Sequence, residues 1–149
     1  MAAESSQEMD ELVRQLAAKL SGKACRSLQS IGGGKYSRVY RFEAEDGSLL
    51  AVKRYFQNPA DPRDRLGTEF SAVSFMWEHG LRQIPRPVAS DSANGIALYG
   101  FIEGIRLESG QASIGEIDAI CDWLADLHNW WSNGQGDALP PASEACFTL

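Results

Sequence analysis

The chain of 149 residues has few cysteines and histidines, the side chains on which disulfide frameworks and zinc sites depend. Its cysteines are Cys25, Cys121 and Cys146, and its histidines are His79 and His128. The cysteines are odd in number, widely spaced and without a Cys-x-x-Cys pair, which argues against a disulfide framework and a zinc site. Free thiols are typical of a reducing compartment, and we expect the chain to be cytoplasmic.

Long apolar runs and an excess of basic charge are also missing. No run reaches the roughly 20 apolar residues that a transmembrane helix needs, and the N-terminus is polar and acidic, unlike a signal peptide. The net charge of −6 argues against nucleic acid, which favours a basic face. It does not argue against ATP, because a polyanion needs only a local positive site. We therefore expect neither a membrane nor a nucleic acid as partner.

Internal repeats, low-complexity segments and clusters of His, Cys and carboxylate residues at metal-ligand spacing are absent as well. No Ser/His/Asp set can be nominated for nucleophilic catalysis. The length, with 44% hydrophobic and 23% charged residues, suits a single globular domain.

What the sequence does contain is a glycine-rich stretch, residues 31–42, in which three consecutive glycines precede an alternating apolar and polar run. This pattern predicts a loop that leads into a strand. Gly33 and Gly34 carry no Cβ, so their backbone N–H groups can approach an anion closely. The loop alone leaves two interpretations open, a phosphate-binding loop and a simple turn, because it matches neither a Walker A loop nor a complete Gly-x-Gly-x-x-Gly motif.

A hairpin follows the glycine-rich stretch. The Asp46-Gly47 pair predicts a chain reversal, after which residues 49–53 return as the partner strand. This pairing would hold Lys53 beside the glycine loop, where its ammonium group could meet a phosphate.

Helical patterns flank this hairpin. Apolar residues at helical spacing predict an opening helix that stops at Gly22 and packs on the domain that follows. After the hairpin, Asp61 is predicted as an N-cap and Pro62 as the first residue of a second helix, which ends near Gly80. Glu69 lies on the border of the apolar stripe of this helix, so it can either lean over the sheet or remain an exposed surface carboxylate.

A third helix is predicted from Ser113, which forms a Ser-x-x-Glu capping box with Glu116. His128 falls on its apolar face and is predicted to be a core histidine, whereas Trp123 and Trp130 point to the opposite side. The face predicted to be buried comprises Ile117, Ile120, Cys121, Leu124, Leu127 and Trp131.

Together these patterns predict an α+β fold in which a five-stranded antiparallel sheet carries one helix inserted after the third strand. The first strand is expected at about residues 25–31, and the last two lie at residues 88–90 and 96–99. We divide the chain into an N-terminal helix (residues 1–23), the sheet domain (24–104) and a helical segment (105–149).

These residues resemble the N-terminal lobe of the kinase-like fold, in its aminoglycoside phosphotransferase and choline kinase branch. The resemblance extends from about Ser30 to Gly104. Ser37 stands where protein kinases carry the last glycine of the loop, which is similar to the small-molecule kinase branch. The features that carry the resemblance occur in the expected order: Gly32–Ser37, Val39-Tyr40-Arg41, Ala51-Val52-Lys53, Glu69, Ile84-Pro85-Arg86-Pro87 and Tyr99–Gly104.

The resemblance implies two groups of contacts to a nucleotide. Lys53 would contact the α- and β-phosphates and would be held by an ion pair with Glu69. The loop residues that would cover the phosphates are Gly33, Gly34, Lys35 and Ser37. The residues that would enclose adenine are Val39 and Ala51 above the ring, Tyr99 at the gatekeeper-like position, and Gly100, Phe101 and Ile102 along its edge.

The resemblance also implies parts that this sequence does not contain. Family members carry a His-Gly-Asp type catalytic loop and an aspartate that binds magnesium, both in a C-terminal lobe, and no such motif occurs in residues 105–149. The chain therefore looks truncated before the catalytic loop. We expect it to bind ATP with magnesium but not to catalyse phosphoryl transfer alone.

Two functions remain open at this point. In the first, the chain is the ATP-binding portion of an ATP-dependent kinase that phosphorylates a hydroxyl group, with the small-molecule acceptor bound by a C-terminal lobe. In the second, it is a non-catalytic module for nucleotide sensing or partner docking. Either way, apolar surface left exposed would favour self-association.

Overall fold

The structure is a computed structural model that describes residues 2–105 and 107–142; the side chains of residues 2–6 and 131 lie outside that description, as does Cys146. One compact unit is built from the residues up to Ile102, and a second from Glu103–Pro140. The elements are α1 (Ala2–Ser21), β1 (Cys25–Gly33), β2 (Ser37–Ala44), β3 (Leu49–Tyr55), α2 (Arg65–Glu78), β4 (Pro87–Asp91), β5 (Ile96–Gly100) and α3 (Ile114–Ser132).

The five strands form one sheet in the order β1-β2-β3-β5-β4, and each neighbouring pair is antiparallel. Helix α2 connects β3 to β4, so it is inserted after the third strand. The predicted α+β architecture is therefore confirmed, and its arrangement is consistent with the N-terminal lobe of a kinase-like fold.

The turn between β2 and β3 forms where the sequence predicts it. Gly47 adopts a φ of +81°, a conformation that side chains with a Cβ rarely adopt. The Asp46 Oδ1 atom accepts the backbone N–H of Ser48 at 2.9 Å, and Asp46 Oδ2 pairs with Lys23 Nζ at 2.5 Å. The ion pair ties the turn to the segment that follows α1.

Both faces of the sheet are covered, each by one helix. Residues 50 and 52 of β3 point to the α1 side, whereas residues 51 and 55 point to the α2 side, as the period of two in a strand requires. The core on the α1 side contains Val13, Ala17, Tyr40, Phe42, Ala44, Leu50, Val52, Ile96 and Leu98. The smaller core on the α2 side contains Tyr55, Leu66, Ala97 and Tyr99, with Ala51, Phe70 and Val73 packed against it.

The start of α2 differs from the prediction. The N-cap is Asp64, whose Oδ1 accepts the backbone N–H of Gly67 at 2.8 Å, and the helix begins at Arg65 rather than at Pro62. Asp61 cannot serve as the cap because its carboxylate is bound by the guanidinium groups of Arg63 and Arg65.

Helix α3 begins with the predicted capping box: Glu116 Oε2 accepts the backbone N–H of Ser113 at 2.7 Å, and Ser113 Oγ accepts the N–H of Glu116 at 3.3 Å. Hydrogen bonds from Ser113 lower the pKa of Glu116. The box fixes where the helix begins, and the prediction of its start is confirmed.

The predicted inward face of α3 is wrong for four of its described residues, whereas a fifth, Leu127, is half-buried. Ile117, Ile120, Cys121 and Leu124 are exposed, and Trp123, predicted to face the other way, is half-buried. His128 is exposed and lies 3.4 Å from Ser132 Oγ, so it is not a core histidine. An apolar stripe becomes a core face only where another element covers it, and the described residues of the second unit form no other helix or strand.

We predict that Phe42→Ala lowers the free energy of unfolding by about 3–5 kcal/mol, because the ring is fully buried in the core on the α1 side. Phe56→Ala is the matched control, since that ring is 40% exposed and should cost about 1 kcal/mol. Urea denaturation followed by circular dichroism measures both. Equal losses in the two variants would contradict the assignment of the core.

Candidate functional site

Lys53 and Glu69 form an ion pair between the sheet and α2. Lys53 lies in β3 and Glu69 lies one helical turn after the start of α2, and Lys53 Nζ is 2.5 Å from Glu69 Oε2. Both side chains are half-buried, with 24% of Lys53 and 38% of Glu69 exposed. Glu69 therefore leans over the sheet and is not an isolated surface carboxylate.

Two tyrosines lie on the face of the sheet that carries the Lys53 side chain. Lys53 Nζ is 4.9 Å from the centroid of the Tyr55 ring, and the phenol oxygens of Tyr55 and Tyr99 are 3.4 Å apart. Burial raises the pKa of Tyr55, and burial raises the pKa of Tyr99 to about 12. Both phenols stay neutral at physiological pH, so they add no negative charge beside the lysine ammonium.

The glycine loop between β1 and β2 is a tight turn. Gly34 donates its backbone N–H to the Ser37 carbonyl at 2.9 Å. A Cβ on Gly33 would lie 2.9 Å from that same carbonyl oxygen, whereas a Cβ on Gly34 would have no atom within 4 Å. Neither glycine has a positive φ. The packing of the chain thus explains a glycine at Gly33 but not at Gly34.

The other predicted loop residues lie on either side of Tyr36. Lys35 is exposed, with its Nζ 5.1 Å from the centroid of the Tyr36 ring. Ser37 is half-buried and pairs with Tyr55 in the β2–β3 register. The structure therefore brings the loop to the end of β3, two residues beyond Lys53.

The predicted adenine-binding residues share one face with Lys53. Val39 pairs with Lys53 across β2 and β3, and Ala51 pairs with Tyr99 across β3 and β5. Directly paired residues in antiparallel strands point to the same face, and so do residues two apart in one strand. Val39, Ala51, Lys53 and Tyr99 therefore form one contiguous surface.

The segment after β5 continues this surface at the edge of the first unit. Gly100 donates its N–H to the Arg86 carbonyl at 2.7 Å, and Phe101 donates its N–H to the Leu49 carbonyl at 3.3 Å. Ile102 is 56% exposed. Two backbone hydrogen bonds, to Arg86 and to Leu49, thus hold the start of this segment in place.

Sequence reasoning missed a cavity of 560 Å³ beside the glycine loop. It also missed Tyr55 and Arg65, which line that cavity. A signal for both was present: Tyr55 lies two residues after Lys53 on the same face of a strand, and Arg65 lies four residues before Glu69 on the same face of a helix. The complete lining is Lys35, Tyr36, Tyr55, Phe56, Gln57, Asn58, Pro59, Asp61, Arg63, Asp64, Arg65, Leu66, Ser92 and Gly95.

In the described part of the chain, no three His, Cys, Asp or Glu side chains are grouped so that they could hold a metal ion. No helix among these residues is long and apolar enough to cross a membrane.

Several solved structures are similar to the chain. No family model and no curated protein matches the chain. The chain is similar to the crystal structure of a putative fructosamine-3-kinase from Thermobifida fusca YX-ER1, with 19% identity and a TM-score of 0.47. The match covers 64% of this chain and 33% of that one, so the matched part spans one third of the length of the solved chain.

We predict that Glu69→Gln lowers the free energy of unfolding by no more than about 1 kcal/mol, because a half-exposed ion pair is screened by solvent. The loss should shrink further in 1 M NaCl. Glu78→Gln, at the exposed last residue of the same helix, should show neither effect. A salt-independent loss of several kcal/mol in urea denaturation would refute the prediction.

We predict that Gly33→Ala lowers the free energy of unfolding by about 1–3 kcal/mol, because the new Cβ would crowd the Ser37 carbonyl. Gly34→Ala should leave it unchanged or raise it by up to about 1 kcal/mol, since the added methyl meets only open space. Thermal unfolding of the two variants side by side is the measurement. The same loss in both would mean that the loop has a different conformation in solution.

Proposed function

We propose that residues 24–104 bind ATP as the N-terminal portion of an ATP-dependent phosphotransferase that acts on a hydroxyl group of a small molecule. The single observation that carries the proposal is the 2.5 Å ion pair between Lys53 and Glu69, formed on the α2 face of the sheet beside the glycine loop. The kinase-like arrangement of the sheet and α2 is the frame in which this pair is found.

The surroundings of Lys53 support a role in binding phosphate. A lysine ammonium acts as a point charge toward phosphate oxygens, and its pull is stronger where neighbouring groups displace water. Besides Glu69, this face presents uncharged side chains around Lys53: its Nζ lies 4.9 Å from the centroid of the neutral Tyr55 ring, and Ala51 and the neutral Tyr99 share the face. Glu69 contacts Lys53 from α2, so it can orient the ammonium, and 24% of the Lys53 side chain is exposed to solvent, from which an anion could approach.

The glycine loop supports the same proposal. Because neither a positive φ nor internal packing explains a glycine at Gly34, a close approach from outside the chain is a physical reason for the missing Cβ. A phosphate group would make such an approach. Its binding would have to displace the hydrogen bond from Gly34 N–H to the Ser37 carbonyl or use other donors of the loop.

The proposal assigns binding and orientation of the donor nucleotide to this chain, and no chemical step. Magnesium neutralises phosphate charge when it accompanies ATP. Among the described residues, no three His, Cys, Asp or Glu side chains are grouped to hold the ion. The acceptor hydroxyl and its base lie outside the residues assigned here.

We predict that ATP with magnesium binds weakly to the wild-type chain and that Lys53→Ala weakens binding at least about tenfold, because a charge-assisted hydrogen bond to phosphate is lost. Lys23→Ala is the matched control: it removes the same charge from a lysine that pairs with Asp46 at the hairpin turn. Isothermal titration calorimetry measures the three affinities. Equal affinities for the wild type and Lys53→Ala would remove Lys53 from the site.

Gly34→Ala gives a second test in the same titration. The added methyl group should weaken ATP binding without destabilising the chain, because it would occupy the space through which a phosphate approaches. Unchanged affinity in this variant would show that phosphates do not contact the loop at that residue.

A further inference from the structure

We propose that Arg65 is a positioning residue that holds the glycine loop against helix α2, so that the loop and the ion pair of Lys53 and Glu69 are kept in place by the same helix. The effect on ATP binding rests on the function proposed above. The docking of the loop does not, and it can be measured without any nucleotide.

The contact between loop and helix is a stacked pair of side chains. Tyr36 lies in the loop between β1 and β2, and the Arg65 Cζ atom is 4.0 Å from the centroid of its ring. A guanidinium group over an aromatic face is attracted by the ring quadrupole, and more strongly where solvent is partly excluded. The Arg65 side chain is 14% exposed and Tyr36 is 37% exposed, so the contact is partly shielded from solvent on the side of the arginine.

Arg65 is also held from the side of the loop that precedes α2. Its Nη1 atom is 2.6 Å from Asp61 Oδ2, and 16% of the Asp61 side chain is exposed. Arg63 binds the same carboxylate through Nε at 2.7 Å and Nη2 at 2.9 Å. Arg63 first and Arg65 second hold the pKa of Asp61 well below its usual range, so the carboxylate stays charged near neutral pH. The ion pair with Asp61 therefore helps to hold the guanidinium of Arg65 where it stacks on the ring.

A backbone hydrogen bond gives the loop a second anchor. The Tyr36 carbonyl accepts the backbone N–H of Phe56, at the end of β3, at 2.9 Å. The neighbouring amide of Tyr55 donates instead to the Gly95 carbonyl at 2.8 Å, which does not belong to the loop. The Phe56 amide thus reports on loop docking, and the Tyr55 amide reports on the end of β3 alone.

The spacing in α2 connects this anchor to the ion pair. Arg65 and Glu69 are four residues apart, so they project from the same face of the helix. Arg65 contacts the loop at Tyr36, and Glu69 contacts Lys53. A loop already held in place loses less conformational freedom when a ligand binds, which favours affinity.

The test is hydrogen exchange of backbone amides, followed by NMR in the absence of nucleotide. In Arg65→Ala and in Tyr36→Ala, exchange of the Phe56 amide should accelerate about three- to tenfold, while that of the Tyr55 amide stays as in the wild type. Arg65→Lys should resemble Arg65→Ala, because lysine keeps the charge but not the planar stacking group. Tyr36→Phe should remain as the wild type, because it keeps the aromatic face.

Arg82→Ala is the matched control, since Arg82 stacks on Trp77 at 4.3 Å, a similar contact located at the other end of α2. Arg82→Ala should leave the exchange rate of the Phe56 amide unchanged. The double variant Tyr36→Ala with Arg65→Ala should exchange no faster than either single variant, because both remove the same contact. Equal acceleration at Tyr55 and Phe56, or additive effects in the double variant, would overturn the proposal.

ATP titration of the same variants separates this proposal from the proposed function. Arg65→Ala should weaken ATP binding about three- to tenfold, and Tyr36→Phe should not. If the wild type binds no ATP but the Phe56 amide responds as expected, the proposed function fails and the docking of the loop stands. If ATP binds but the Phe56 amide does not respond, the positioning role of Arg65 fails.

Discussion

Strand β3 is packed on both of its faces, and this constraint decides on which side of the strand the ion pair of Lys53 and Glu69 lies. Leu50 and Val52 enter the core under α1, so the intervening residues are directed toward α2. Lys53 is among them, and a cation there needs a counter-charge because part of its hydration is lost. Glu69 provides that charge from α2. The alternation within β3 thus links the sheet core to the position of the helix.

Once Glu69 is placed over Lys53, the rest of the first turn of α2 is placed as well. Asp64 caps the helix and Arg65 follows it, so Arg65 faces the glycine loop while Asp61 binds it from the preceding segment. The helix dipole does not explain a cation in the first turn, where acidic residues are preferred. The stack on Tyr36 and the ion pair with Asp61 give Arg65 a physical reason to be there.

The parts of this fold that could be predicted are those that depend on neighbours in sequence. Alternation in β2 and β3 and the Asp46-Gly47 turn are local signals, and the predicted sheet and hairpin are confirmed. The predicted start of α2 was three residues too early. Asp61 pairs with two arginines, and N-cap preferences do not take such ion pairs into account. The predicted burial of α3 was wrong for most of its apolar face, because periodicity shows where an apolar stripe lies but not whether another element covers it. The stack of Arg65 on Tyr36 depends on tertiary proximity, and no local pattern indicates it.

The residues of the candidate site contribute little to the stability of the fold, yet their arrangement suits the binding of an anion. A half-exposed ion pair contributes at most about 1 kcal/mol, and a glycine in a loop costs conformational entropy when the chain folds. Lys53, Glu69 and Gly34 therefore do little for the folded chain itself. Each has a further role if an anion binds beside the loop: Lys53 would contact it, Glu69 would orient Lys53, and the missing Cβ of Gly34 would allow close approach. A phosphate ligand at this surface would therefore give the three residues one shared function.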